Sequence, residues 1–140
     1  MENKIFEPHK SSIGNLDANV VALIAYLGGA ILGFIPGIKY VAFLVPIIIF
    51  FIEKDSKYVK FHAMQSILLS AVGVVISIIL WIFILIGIHS YAGLTFISAI
   101  AFIISIALLV FFIIATVKSY KYEIYKLPLI GNWAEKIALK

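Results

Sequence analysis

Residues 61–117 read FHAMQSILLSAVGVVISIILWIFILIGIHSYAGLTFISAIAFIISIALLVFFIIATV, with no Asp, Glu, Lys or Arg among them. One bilayer crossing by a helix takes about 20 apolar residues. The stretch is long enough for two, and Ile88-His89-Ser90-Tyr91-Ala92-Gly93 is the natural turn between them. The expected helices cover 61–88 and 94–117. Immediately before them stands Glu53-Lys54-Asp55-Ser56-Lys57-Tyr58-Val59-Lys60, the one dense charge cluster inside the chain. Composition points the same way. Of 140 residues 64% are hydrophobic and 13% charged, against about half and about a quarter in soluble domains. A soluble chain this short has too high a surface-to-volume ratio to hide so much apolar surface, so lipid is the expected partner.

Upstream, apolar sequence fills 18–52 and is broken by Phe34-Ile35-Pro36-Gly37-Ile38-Lys39-Tyr40. Pro36 and Gly37 punctuate helices, and a lysine at mid-bilayer is costly. The simplest reading is two helices, 18–35 and 38–52, the second short and containing Pro46. Two spans, a single span and a re-entrant hairpin all remain open for this region. Residues 1–17 form a polar tail, with Asp17 placed to cap the first helix. Residues 118–140 are basic and aromatic. After Pro128, Leu129, Ile130, Trp133, Ala134 and Ile137 share one helical face, the pattern of a short helix lying in the membrane interface or packed on the domain.

Net charge is +4 and every cation is a lysine. Lysines flank apolar tracts that could not sit in water beside DNA, so nucleic acid is not an expected partner. They read as contacts to anionic headgroups and as orientation signals. Lys4, Lys10, Lys54, Lys57, Lys60, Lys118, Lys121, Lys126, Lys136 and Lys140 fall on one side of a four-span arrangement and Lys39 on the other. Cell-membrane residence is expected, with both tails and the 53–60 loop cytoplasmic. Were residues 18–52 to cross once, the N-terminus would move outside.

Ala25, Gly29, Gly33 and Gly37 recur every four residues, a small-residue stripe that lets another helix approach closely. It suits an interface between copies, or packing inside this chain. Glu53, Asp55, His62, Gln65 and Ser66 are the densest polar group, and His62, Gln65 and Ser66 share a helical face. With no carboxylate in the spans and no ligand spacing among His9, His62 and His89, neither catalysis nor a metal or other cofactor is expected. The absence of ionisable groups from 61–117 also argues against an ion-coupled transporter. Ser66, Ser70, Ser77, Ser98 and Ser105 could line a weakly polar path in an oligomer, though serines in membrane helices more often bond their own backbone.

Three stretches together resemble a known group: residues 15–27 (NLDANVVALIAYL), 53–66 (EKDSKYVKFHAMQS) and 125–136 (YKLPLIGNWAEK). They are similar to a family of small prokaryotic membrane proteins of unassigned function. That family is distantly similar to the Tic-twenty component of chloroplast import and to the magnetosome proteins MamF and MmsF. The resemblance implies a compact helical membrane domain of three or four spans. Tyr125, Pro128, Gly131, Trp133 and Glu135, in the last of these stretches, form the candidate interfacial segment.

The expected fold is an all-α transmembrane bundle of three to four helices with a short amphipathic helix at the C-terminus. The expected function is non-enzymatic, a structural or accessory protein that assembles with itself or with other membrane subunits. The alternative is a passive pore or a translocation component.

Overall fold

A computed structural model describes residues 4–38, 41–87 and 90–140. The charge-free stretch forms two long helices, α3 (Lys57–Gly87) and α4 (Tyr91–Tyr120). Each begins on a serine: the Ser56 hydroxyl accepts from the Val59 amide at 3.2 Å, and that of Ser90 from the Gly93 amide at 3.3 Å. Such caps satisfy amides that have no partner within the helix. At about 1.5 Å per residue the helices run about 46 and 45 Å. Both exceed the roughly 30 Å of hydrocarbon in a bilayer. The surplus is the end of each helix next to the polar segments. There Tyr58, Phe61, His62 and Gln65 on α3, and Ala115 and Ser119 on α4, are buried within the protein. Both helices are long and apolar enough to cross a membrane.

The region before the charge cluster differs from expectation. α1 (Ala18–Gly33) nearly matches its expected extent, but α2 (Leu44–Ile52) has only 9 residues. Pro46 gives the reason. Its ring clashes with the carbonyl four residues back, at Ala42, so it is tolerated only in the first turn of a helix that starts at Leu44. At about 14 Å, α2 is too short to cross hydrocarbon. Asp17 occupies the N-cap position of α1 without bonding through its side chain; it pairs with Lys10 at 2.8 Å instead. Lys39 and Tyr40 of the first expected turn, and Ile88 and His89 of the second, lie outside the described residues.

α1 and α2 fold back on each other. A Cβ on Gly28 would lie 2.8 Å from Val45 Cγ1, and one on Gly29 would lie 3.1 Å from the Ala42 carbonyl oxygen. Alongside α3, Ala25 is bonded to Ser66, and Gly33 faces the same cavity as Gly73. Residues 74–87 of α3 therefore extend about 21 Å past the end of α1. Over that distance most of the exposed side chains of α3 and α4 are apolar, Val74, Ile78, Trp81, Phe96, Phe102 and Ile103 among them.

Both tails and the 53–60 segment gather at the opposite end, which forms a base. Strand β1 (Lys4–Ile5) pairs antiparallel with β2 (Glu123–Ile124), Lys4 opposite Ile124. The two tails thus lie at one end of the molecule, and residues 18–52 leave that end and return to it. α5 (Gly131–Ala138) completes the base, with Ala134 and Ala138 in one core with Ala18, Val59, Ala63 and Ile124.

Candidate functional site

Of the predicted polar group, Glu53 sits at the centre of a clamp. Its carboxylate accepts from the hydroxyls of Ser11 and Ser12, the latter at 2.8 Å. It also accepts from the amides of Ser12, Asp55 and Ser56 at 3.2, 3.0 and 2.9 Å. The Ser12 hydroxyl in turn accepts from the Lys54 amide at 2.9 Å. Burial alone would raise the Glu53 pKa, but bonds from the Ser11 hydroxyl, the Ser56 amide and the Ser12 hydroxyl and amide outweigh it and hold the value at about 2. Asp55 contributes its amide while its side chain faces outward. One carboxylate therefore ties the N-terminal tail to the start of α3.

His62, Gln65 and Ser66 do share a face of α3, and it meets α1 and the C-terminal segment. Gln65 Oε1 accepts from the Leu127 amide at 3.2 Å, and its Nε2 donates to the Tyr125 carbonyl and the Tyr26 hydroxyl, both at 3.1 Å. The backbone partners fix which way the amide points. The Tyr26 hydroxyl is also hydrogen-bonded to His62 Nδ1 at 3.2 Å. The other ring nitrogen of His62, Nε2, is buried without a hydrogen-bond partner among the described residues. Ser66 donates to the Ala25 carbonyl at 2.8 Å. Tyr58 donates to the Ser119 carbonyl, and its ring packs between His62 and Tyr122, with Phe6 and His9 beside them.

The C-terminal candidates divide. Gly131 is a point of close approach: a Cβ there would fall 2.5 Å from Lys126 Cα, so only glycine fits. Lys126 pairs with Glu135 at 2.6 Å. Tyr125 lends its carbonyl to Gln65, and Pro128 accepts from the Ile130 amide at 2.8 Å to shape the turn. The single apolar face expected for α5 is in fact two. Ile130, Ala134 and Ala138 are buried against the domain, whereas Leu129, Trp133 and Ile137, four residues apart, are exposed at 92%, 62% and 48%.

The small-residue stripe is used within the chain over part of its length. Ala25 meets Ser66 and Gly29 meets the Ala42 backbone just before α2, while nothing lies within 4 Å of a Cβ built on Gly33 or Gly37. Ala25, Gly29 and Gly33 line a cavity of about 450 Å³ between the α1–α2 hairpin and the α3–α4 pair, and Gly37 does not. Ser77 and Ser105 bond the carbonyls four residues back in their own helices, both at 2.8 Å. Among the described residues no group of three or more His, Asp or Glu could hold a metal ion.

The polar groups brought together here have structural partners, and the arrangement holds three chain segments in one layer. Tyr26, Tyr58, Ser11, Ser12 and Tyr122 belong to this layer but carried no sequence signal, because each owes its role to a partner 36 or more residues away. Most of the arrangement falls within the region, residues 17–134, that matches the family described as magnetosome magnetite crystal formation proteins, MamF and MmsF. The chain is 37% identical to a UPF0132 membrane protein of Methanocaldococcus jannaschii, over 91% of this chain and 93% of that one. It is 30% identical to a UPF0132 membrane protein of Archaeoglobus fulgidus, over 84% and 92%. No solved structure matches it.

Proposed function

The chain belongs to the MamF and MmsF family, and we propose that it is a non-enzymatic structural protein of a membrane assembly. In this reading α3 and α4 cross the bilayer, and the α1–α2 hairpin enters from the base side and returns without crossing. Residues 67–87 of α3 measure about 31 Å, one hydrocarbon thickness, and the end of α1 stands near Gly73, about a third of the way along them. The lysine-rich base faces the cytoplasm, as the excess of lysine on that side favours.

The observation that carries the structural reading is the bare apolar surface of residues 74–87 and 91–106. There α3 and α4 have only each other, and their outer faces are left for lipid or for further helices. The clamp around Glu53 and the Gln65 network contribute by rigidity rather than chemistry. The family description names magnetite crystal formation; the feature carried over here is membrane residence, which the names of both archaeal relatives share. A pore reading draws little support from serines whose hydroxyls are bonded within their own helices.

The test is gentle extraction of tagged protein from its native membrane and mass determination of the intact complex. A multiple of 15.5 kDa, or reproducible co-purification of other membrane subunits, is expected. A lone monomer in every mild extraction would sink the assembly role.

A further inference from the structure

The width of the molecule changes sharply along its long axis. At the level of Ala25, Gly29 and Ser66, four helices lie side by side. Beyond Gly73 and Leu108 only α3 and α4 remain among the described helices, and they close tightly at the far end, where a Cβ on Gly87 would lie 2.6 Å from Ile97 Cδ1 and 3.7 Å from the Gly93 carbonyl carbon. The base widens the broad end further. Leu129, Trp133 and Ile137 form an outward apolar stripe beside Lys136 and Lys140. Leu129 holds φ at 69°, a left-handed conformation that is unfavourable for a leucine. An exposed leucine kept in a strained backbone is poorly explained by water and well explained by insertion among lipid headgroups, where apolar side chains with flanking lysines are stabilised.

We infer that the protein is a membrane wedge that favours bilayers curved convex toward its base. The inference rests on the two-span, re-entrant reading above. One leaflet must accommodate four helices and the α5 stripe, the other only two. In a flat bilayer the lipids around such a body are crowded on one side and spread on the other. Bending toward the broad side relieves that mismatch, which otherwise deforms the bilayer at a free-energy cost. A body with lower free energy in curved membrane concentrates there, and at high density it shifts the membrane toward that shape. The ligand is the curved bilayer itself, and the sign of curvature is set by which end is broad.

The test uses the full chain, labelled through Lys54→Cys on the exposed base, in giant vesicles of phosphatidylcholine and phosphatidylglycerol from which thin tubes are pulled. The native chain has no cysteine, so the label is unique. An impermeant quencher distinguishes the two insertion orientations. Molecules with the base outward are expected to enrich in the tube about threefold or more over flat membrane, the ratio given by a free-energy difference near RT. Molecules with the base inward are expected to be depleted. Replacing the stripe (Leu129→Ser, Trp133→Ser, Ile137→Ser) alters exposed positions only and should lower the enrichment without abolishing it. Equal density in tube and flat membrane for both orientations overturns the wedge. Labelling of Phe34→Cys separates the two claims: a protected Phe34 position with flat partitioning removes the wedge alone, whereas reactivity from the far side removes the re-entrant hairpin and the wedge with it.

Discussion

Glu53 accepts from two serine hydroxyls and three backbone amides, and its pKa is lowered from an ordinary 4.5 to about 2. A carboxyl whose folded pKa is depressed stabilises the structure fully above its unfolded value and loses that contribution as pH falls through the folded one. The N-terminal tail should therefore stay docked above pH 4.5 and release progressively toward pH 2, read as amide exchange at Ser11 and Ser12. Glu53→Gln should loosen the tail at neutral pH and flatten this dependence, since one acceptor oxygen becomes a donor facing donors. Gln65 is a comparable anchor with no charge. Gln65→Leu strands the Leu127 amide and the Tyr125 carbonyl inside the protein, a loss of about 1–3 kcal/mol per unsatisfied group. Thermal unfolding in detergent should show a clearly lowered Tm for Gln65→Leu. Ser77→Ala, on the exposed face of α3, should stay within about 0.5 kcal/mol of the parent.

Among the elements, α3 and α4 are legible in the sequence because a charge-free run of 57 residues fits little besides a pair of membrane helices. Their caps, Ser56 and Ser90, stand at the expected turns. α2 is not legible in length. Its apolar run continues toward Ile38, and only the position of Pro46 relative to the Ala42 carbonyl shortens the helix. The small-residue stripe is plain in the sequence, but its spacing does not say which members touch a neighbour. That distinction is testable. Gly29→Leu drives a side chain into the Ala42 carbonyl just before α2 and should destabilise the hairpin, whereas Gly33→Leu enters open space and should be tolerated. Comparable Tm losses for both would contradict this division. For α5, helical periodicity groups Trp133 with Ala134, and only packing against Val59 and Ala63 separates them. Gly131→Ala, forced against the Lys126 backbone, should cost about 1–3 kcal/mol, the range of overpacked sites; a Tm unchanged from the parent would contradict that contact.

The whole molecule rests on contacts that no local pattern announces. Lys4 pairs with Ile124, Ser11 and Ser12 bond Glu53, and Gln65 bonds Leu127, so three polar segments far apart in sequence become one base. Lysine distribution suggests that these segments share a side, and the strand pairing gives the physical reason. Once they do, the span count turns on the α1–α2 hairpin. Lys39 is the sequence feature that most opposes a tip within hydrocarbon, since lysine there costs about 3 kcal/mol on insertion scales. The geometry favours the shallow hairpin, because α2 is too short to cross and α3 runs well past the end of α1. The most direct measurement is labelling of single-cysteine variants in sealed membranes with an impermeant maleimide. Lys54→Cys marks the base, Tyr91→Cys the far end of the α3–α4 pair, and Phe34→Cys the end of α1, the last two at positions 90% and 89% exposed in the isolated chain. The account predicts reaction at Lys54→Cys from the cytoplasmic side only, at Tyr91→Cys from the opposite side only, and at Phe34→Cys from neither. Reaction of Phe34→Cys on the same side as Tyr91→Cys would contradict it and establish four crossings.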